Sequence, residues 1–161
     1  MQLNDLFGVP AHPLLVHLPL VLVPLAAICA LVAVVLARHR RRLALLAMGV
    51  TALALISNEV AVASGRALRP RVPSSELVRR HVVSGINFRF FIIALLIVLL
   101  VLAMLPHSTW SGTRTKRQRS AIIAVGLLVV VTAGSTVVAT IVVGYSGTKA
   151  VWSDTPQRPA P

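Results

Sequence analysis

Residues 21–42 read VLVPLAAICALVAVVLARHRRR, an apolar run that ends abruptly in a cluster of basic side chains. The apolar segment begins near residue 13 and continues to residue 37. A bilayer hydrocarbon core of about 30 Å requires roughly 20 apolar residues in a helix that crosses it. Arginines that directly follow such a segment stay among the lipid head groups. Residues 13–37 are therefore predicted to span a membrane, and residues 38–42 to mark the bilayer surface.

Three more segments have the length and composition of a membrane span: residues 43–63, 87–105 and 121–145. The chain of 161 residues is 57% hydrophobic and 12% charged, with a mean hydropathy of +0.86. A water-soluble domain of this size could not bury so much apolar surface. None of the segments alternates apolar and polar residues as a barrel strand does. The sequence predicts an all-α, polytopic membrane protein: a four-transmembrane-helix bundle in residues 1–152, followed by a disordered tail at 153–161.

The net charge of +12 and the pI near 12.0 could indicate nucleic-acid binding. The basic residues, however, are concentrated in runs beside the apolar segments, at 38–42 and 114–119. No aromatic residues interleave with them in the way that stacks bases. The predicted partner is therefore the lipid bilayer with its anionic head groups, and nucleic acid is excluded.

Four spans place both termini on one side of the membrane. Eight lysines and arginines fall on each side if the loops after the first and third spans share a side. The two dense runs adjoin span ends, where basic residues control orientation, and the segment before the first span has no lysine or arginine. These features predict a multi-pass protein of the cell (inner or plasma) membrane with both termini outside the cytoplasm.

Several function classes are disfavoured by the composition and the motifs. The single cysteine, Cys29, can form neither an internal disulfide nor a cysteine-based metal cluster. No phosphate-binding loop, nucleophile elbow or zinc-protease motif is present in the sequence, so a soluble-type enzyme is disfavoured. No internal sequence repeat is evident. The N-terminus lacks a basic n-region, which predicts that the first span is retained rather than cleaved as a signal peptide.

With alternating topology, all four spans bring polar side chains to the same membrane face. A charge inside the hydrocarbon core costs several kcal/mol unless it is paired, so these groups are expected to turn inward and find partners. Glu59 and Arg89 lie at similar depths and are predicted to form an ion pair. The predicted polar cluster comprises His12, His17, Asn58, Glu59, His81, Asn87, Arg89, Tyr145 and Lys149.

The start of the first span combines two histidines with several prolines. On a straight helix His12 and His17 would point about 140° apart, so they are not predicted to act as a pair on one face. Pro13 suits the first helical turn, where no N–H bond is lost. Pro19 and Pro24 each free a carbonyl group four residues earlier and are expected to bend the helix.

Small residues recur every four positions on the last span. Such a stripe allows the backbones of neighbouring helices to approach closely. It is interpreted as the seam of the bundle rather than as a substrate path. The stripe comprises Thr132, Thr136, Thr140 and Gly144.

The motif HPLLVHLP at 12–19, followed by a long apolar helix, resembles the opening motif of the bacterial domain-of-unknown-function 2231 family. Members of this family are small four-helix membrane proteins. The family's usual form is His-Pro-x-x-Val-His-Phe-Pro, and Leu18 stands here where phenylalanine is common. The resemblance extends to His81 before the third span and to VVGYSGTKAVW at 142–152, and it covers residues 8–152.

The resemblance implies a connection with electron transfer. Some members of the family are similar to membrane halves joined to Rieske-type iron–sulfur domains. This chain has no Cys-His pairs for such a cluster. An iron–sulfur partner would therefore be a separate protein.

The histidines suggest a redox cofactor at the outer membrane face. A b-type haem in a four-helix bundle needs two neutral imidazoles from different helices, with cations near its propionates. His17 and His81 are the predicted axial pair, with His12 as the alternate. The predicted propionate partners are Arg66, Arg69, Arg79 and Arg80.

The same region could hold a bare metal ion instead. Imidazole suits Zn, Cu and Fe, and the predicted ligand set is His12, His17, His81 and Glu59. Either cofactor would make the protein a small redox or electron-transfer module that works with another membrane protein or a redox partner.

Two other functions fit the same residues. A non-catalytic accessory or structural subunit would use the polar cluster to dock a partner protein or anionic lipid. A small transporter or proton-conducting bundle would use His17, Glu59 and Arg89 as relay groups, although no broken-helix repeat of the transporter kind is present. An enzymatic activity is not predicted.

Overall fold

The computed structural model describes residues 5–6, 8–105 and 115–153. Short 3-10 turns, Ala37–His39 and Arg69–Arg71, flank the third helix. The α-helices are α1 (Ala11–Leu15), α2 (His17–Val35), α3 (Arg40–Leu68), α4 (Glu76–Met104) and α5 (Lys116–Trp152).

A tight turn precedes α1 and joins two short antiparallel strands, β1 (Asp5–Leu6) and β2 (Val9–Pro10). Gly8 has a φ of +79°, in the left-handed region that a residue without a Cβ occupies at no steric cost. The guanidinium Nη1 of Arg71 lies 2.9 Å from the carboxylate Oδ1 of Asp5. This ion pair connects the N-terminal segment to the turn that follows α3.

The helices α1 and α2 form one span that is interrupted at Val16. Pro19 has no N–H, so the carbonyl of Leu15 loses its helical donor. The amide of Leu20 resumes the ladder by donating to the carbonyl of Val16. Pro24 is accommodated inside α2 without an interruption. The irregularity predicted from the two prolines therefore occurs once, ahead of Pro19.

Capping residues fix the polar starts of α4 and α5. The hydroxyl of Ser75 accepts a hydrogen bond from the amide of Val78 at 3.2 Å. Thr115 and Gln118 form a reciprocal capping box at the start of α5. These caps satisfy amide groups that have no partner within the helix. Both helices can therefore begin outside the apolar part of the chain.

The four long helices form a closed ring in the order α2, α3, α4, α5. Helix α2 packs against α3 and α5, and α4 packs against the same two helices. Alanines on the facing sides of α2 and α3 let these backbones approach closely, whereas α4 fills the centre with leucines. The central core comprises Ala27, Ala30, Ala33, Ala44, Ala47, Leu95, Leu99, Leu102, Val129 and Ala133.

Most other apolar side chains point outward. Among the residues that the structure describes, four helical segments are long and apolar enough to cross a membrane, and only 22% to 33% of the most apolar window of each is buried inside the bundle. Such an outer surface is stable in lipid, because helices satisfy almost all of their backbone polar groups internally. The predicted all-α, four-helix transmembrane fold is confirmed.

The last three spans form helices that are longer than the apolar segments that predicted them. Helix α3 continues to Leu68 rather than ending at residue 63, and α4 begins at Glu76 rather than at residue 87. Helix α5 is likewise extended at both ends. A drop in hydropathy marks where the chain leaves the hydrocarbon, whereas a capped helix continues into the head-group layer. The predicted tail, apart from Ser153, lies outside the described residues.

Candidate functional site

The imidazole of His12 projects from α1 onto the end of α3. Its Nδ1 lies 2.9 Å from the carbonyl oxygen of Ala61 and 3.2 Å from the Oγ of Ser64. The ring lies against Gly65: its Cε1, Nδ1 and Nε2 are 3.0, 3.1 and 3.5 Å from the place that a Cβ would occupy. A larger residue than glycine would force the ring away from the α3 backbone.

The imidazole of His81 makes a matching set of contacts between α4 and α5. Its Nδ1 lies 3.0 Å from the Oγ of Ser146. The ring lies against Gly147, with Cε1, Nδ1 and Nε2 at 2.9, 3.3 and 3.5 Å from the place of a Cβ. This glycine is therefore needed for the same reason as the one in α3.

The two histidine environments repeat one structural unit. In each, a serine hydroxyl donates to the carbonyl three residues earlier at 2.8 Å, Ser64 to Ala61 and Ser146 to Val143. A glycine follows each serine, and a histidine from the preceding helical segment lies on that glycine. The bundle thus contains an internal repetition that was not predicted from the sequence.

The two rings face each other at one end of the bundle. Their centroids are 6.1 Å apart and their planes are inclined by 69°. Both side chains are half-buried. Helices α1, α3, α4 and α5 therefore all contribute to one pair of imidazoles.

The hydrogen bonds determine which ring nitrogen carries the proton. The carbonyl of Ala61 can only accept, so Nδ1 of His12 donates to it. The hydroxyl of Ser146 directs its proton to the carbonyl of Val143 and so accepts from Nδ1 of His81. In both neutral rings the lone pair is then on Nε2. Metal-binding imidazoles are oriented in this way, through their other N–H group.

Farther from this end of the bundle, Glu59 of α3 and Arg89 of α4 form the ion pair predicted from the sequence. The Nη1 of Arg89 lies 3.3 Å from the Oε2 of Glu59. Arg89 Nε also donates to the carbonyl of Ile86, and the amide of Asn58 lies 3.4 Å from Glu59 Oε1. The side chains of Arg89 and Glu59 are 26% and 44% exposed, so the pair opens onto the outer surface of the bundle.

The sequence model of a family described as "predicted membrane protein", DUF2231, matches residues 8–156. The match includes both histidines and both serine–glycine pairs. The chain belongs to the DUF2231 family. Comparison with curated proteins and with solved structures gives no match. Membership of DUF2231 and the four spans together show an integral membrane protein, as the motif at residues 12–19 indicated.

In this DUF2231 protein the structure brings together part of the predicted ligand set. His12 and His81 are neighbours, whereas His17 lies on an exposed side of α2 and Glu59 is bonded to Arg89. Within residues 5–6, 8–105 and 115–153, no group of three or more His, Cys, Asp or Glu side chains could hold a metal ion. The geometry makes His12, the alternate in the sequence-based prediction, the neighbour of His81.

The arginines predicted to meet a propionate are exposed in the DUF2231 bundle. The Nε atoms of Arg79 and Arg80 lie 2.7 and 2.8 Å from the carboxylate of Glu76. Arg66 and Arg69 are exposed at the end of α3 and in the 3-10 turn after it. The segments that adjoin the histidine pair therefore carry a dense positive charge, which Glu76 neutralises only in part.

Three further residues of the predicted polar cluster lie at the surface. Asn87 and Tyr145 are exposed, and the Nζ of Lys149 lies 5.0 Å from the centroid of the Tyr145 ring. This cation–π contact, like the exposed arginines, is typical of side chains at a membrane interface.

Three of the four residues in the small-residue stripe lie on the inner side of α5. Thr136 and Thr140 are buried, and Thr136 Oγ1 donates to the carbonyl of Phe91 in α4 at 3.2 Å. Thr132 is half-buried, whereas Gly144 is exposed. The hydrogen bond from Thr136 connects α5 directly to α4.

Four residues that hold the imidazoles were missed by reasoning from the sequence. The signal was present as a serine–glycine dipeptide near the end of the second helix of each hairpin, in VASGRAL and in GYSGTKA. The dipeptide is too short to be recognised without knowing that a ring lies on each glycine. The four residues are Ser64, Gly65, Ser146 and Gly147.

Proposed function

We propose that this protein is a small redox module of the bacterial plasma membrane that holds a haem iron or a single metal ion between His12 and His81. The observation that carries the proposal is the facing pair of imidazoles whose Nδ1–H groups are already bonded. In the described part of the chain, neither Nε2 atom has a hydrogen-bond partner. Two neutral nitrogen donors from different helices are what a haem iron in a helical bundle requires.

The separation of the rings supports coordination of one ion by both. Metal–imidazole bonds of about 2.0 Å on opposite sides of one ion place the ring centroids roughly 6 Å apart. The observed separation is 6.1 Å. The two rings are therefore as far apart as two imidazoles that share one ion.

The surrounding charge favours an anionic prosthetic group over a bare divalent ion. Cationic side chains outnumber acidic ones in the segments beside the pair, and the ligand set includes no carboxylate. The propionates of a haem would be attracted to these cations, and the iron, when bound, would supply one-electron chemistry. The cations are Arg66, Arg69, Arg71, Arg79, Arg80 and Lys149, against Asp5 and Glu76.

We predict that His12→Ala and His81→Ala each abolish the bound cofactor, because either change removes one of two ligands. His17→Ala is the matched control, since His17 is exposed and lies outside the pair. The measurements are the absorption spectrum of the purified protein in detergent, oxidised and reduced, and elemental analysis for bound metal.

The outcomes separate the alternatives. A Soret band that shifts on reduction, present in the natural protein and in His17→Ala but lost in the other two variants, supports haem. Bound metal without that band supports a bare ion. A colourless natural protein without bound metal contradicts the proposal. If His17→Ala lost the Soret band and His12→Ala kept it, the axial ligands would be His17 and His81, as predicted from the sequence.

A second candidate function is a non-catalytic accessory subunit that docks anionic lipid or a partner protein. The exposed arginines beside the histidine pair favour it, because cationic side chains next to a span end attract anionic head groups. This function explains a protein that binds neither haem nor metal. The hypothesis of a transporter or proton-conducting bundle has less support, because its proposed relay groups Glu59 and Arg89 are bonded to each other and His17 is exposed.

For the orientation, we propose that both termini lie outside the cytoplasm. The basic run at 38–42 then faces the cytoplasm, as does the start of α5. An alkaline-phosphatase fusion at the C-terminus is expected to be active, because this enzyme requires the oxidising exterior to form its disulfides. A fluorescent-protein fusion that folds only in the cytoplasm should be dark at the same position. An inactive phosphatase with a bright fluorescent fusion would reverse the orientation.

A further inference from the structure

The histidine pair lies on an approximate two-fold axis of the bundle. One hairpin consists of the first span and α3, the other of α4 and α5, and both begin at the end that holds the two rings. The Cε1, Nδ1 and Nε2 atoms of His12 lie 3.0, 3.1 and 3.5 Å from the Cβ place of the glycine beneath the ring. The same atoms of His81 lie 2.9, 3.3 and 3.5 Å from the Cβ place of their glycine. A ligand held between the rings would therefore meet two equivalent donors.

The pair offers a bare metal ion two ligands. In the part of the chain that the structure describes, no third His, Cys, Asp or Glu side chain joins the two rings. The hydroxyls of Ser64 and Ser146 donate to backbone carbonyls of their own helices. The carboxylate of Glu76 is held by two arginines. A bare ion would therefore take two neutral nitrogen atoms as its only ligands from these groups.

Few biological ions accept so small a ligand set. Zn²⁺ takes three or four protein ligands, and Ca²⁺ and Mg²⁺ take six or more, mostly oxygen atoms. Cu(II) prefers a tetragonal arrangement of nitrogen and oxygen ligands. Cu(I), by contrast, is a closed-shell ion that is stable between two collinear nitrogen donors, and imidazole suits copper. Its single charge also meets less repulsion from the surrounding arginines than a divalent ion would.

We infer that His12 and His81 bind one monovalent copper ion, each through its Nε2 atom. The centroid separation of 6.1 Å equals that of two imidazoles bonded to opposite sides of one ion. The Nδ1–H groups keep their bonds to Ala61 and Ser146, so the neutral rings bind the ion without a change of tautomer. Because Cu(II) requires more ligands, the site holds copper in its reduced state.

The inference rests on the proposed function in one respect, because it uses the same pair as a metal site. It differs in naming the ion. A haem iron brings four nitrogen ligands with its porphyrin, whereas a bare ion has only the two imidazoles. A Soret band without any affinity for Cu(I) would leave the proposed function standing and overturn the inference. The absence of both would overturn both.

The test is anaerobic titration of the full chain, purified in detergent, with Cu(I) in competition with the chelator bicinchoninate. We expect the natural protein to bind one ion per chain. His12→Ala and His81→Ala should each lower the affinity by more than about a hundredfold, since even the loss of an outer-shell partner can cost that much. His81→Phe occupies the place on Gly147 without a nitrogen donor, and it replaces the alanine variant if that protein fails to fold.

Two matched controls test whether the ion binds at the pair. His17 and Cys29 could each bind Cu(I) but lie outside the pair, so His17→Ala and Cys29→Ala should bind as the natural protein does. Ser146→Ala should weaken binding roughly tenfold, because it removes the acceptor that orients the ring of His81. Ser135→Ala, an exposed position on the same helix, should leave the affinity unchanged.

X-ray absorption at the copper edge counts the ligands directly and needs no variant. We expect two nitrogen neighbours in a linear arrangement and no sulfur neighbour. A sulfur neighbour would assign the ion to Cys29 or to a methionine and overturn the inference. Three or more protein ligands would contradict a site formed by the pair alone. Affinities that are equal in all variants would also refute it.

Discussion

Gly147→Ala is expected to displace the imidazole of His81 and destabilise the protein, whereas Gly144→Ala, one turn earlier, should stabilise it. A Cβ at Gly147 would lie 2.9 Å from the Cε1 of His81, closer than two carbon atoms can approach. At Gly144 the nearest atom would be the Cδ1 of Leu20 at 4.0 Å, an ordinary contact. The two substitutions are chemically identical and differ only in what the added methyl group meets.

The opposite effects of the two substitutions on stability follow from two opposing contributions. Replacing glycine by alanine inside a helix stabilises by up to about 1 kcal/mol. Forcing a methyl group into a packed contact costs about 1–3 kcal/mol. Gly144→Ala should therefore raise the free energy of unfolding by up to about 1 kcal/mol, and Gly147→Ala should lower it by about 1 kcal/mol on balance. Gly65→Ala should behave like Gly147→Ala, because a Cβ there would lie 3.0 Å from His12.

Two measurements check this prediction. Chemical unfolding in detergent, followed by circular dichroism, gives the change in the free energy of unfolding. Nitrogen-15 NMR of labelled histidines shows whether Nδ1 of His81 keeps its proton and its bond to Ser146. Equal stabilisation by both substitutions, with unchanged histidine signals, would show that the ring does not lie on Gly147.

Leu95→Ala should destabilise the bundle by about 2 kcal/mol, near the low end for buried leucines in water-soluble proteins. Leu95 is 0% exposed and lies in the central core where α2, α3, α4 and α5 meet. Lipid is as apolar as this core, so the loss comes from missing van der Waals contacts and from the cavity rather than from transfer out of water. The core leucines are therefore expected to hold the helices together by packing alone.

Leu127→Ala is the control for this prediction. Leu127 is 62% exposed on the outer surface of α5, and its side chain contacts lipid in either variant. Its replacement should change the free energy of unfolding by less than about 0.5 kcal/mol. Similar losses for Leu95→Ala and Leu127→Ala would mean that the centre of the bundle is not tightly packed.

The sequence predicted the ion pair beside the candidate site, but it did not predict that His12 and His81 face each other. The ion pair of Glu59 and Arg89 was predicted from depth alone and is present. The structure places His12 beside His81, whereas the sequence-based prediction paired His81 with His17 and kept His12 as the alternate. The capped start of α4 places His81 on a helix outside the apolar segment, level with α1.

The sequence by itself determined that this chain crosses a membrane four times as helices, and that it is related to DUF2231. Hydrophobic length and a local motif are one-dimensional properties, readable without knowing how the helices pack. Only the tertiary structure decided that His12 and His81 face each other, each lying on a glycine and bonded beside a serine. The direction of a ring depends on the rotation, depth and extension of four helices at once, which no local pattern in the sequence records.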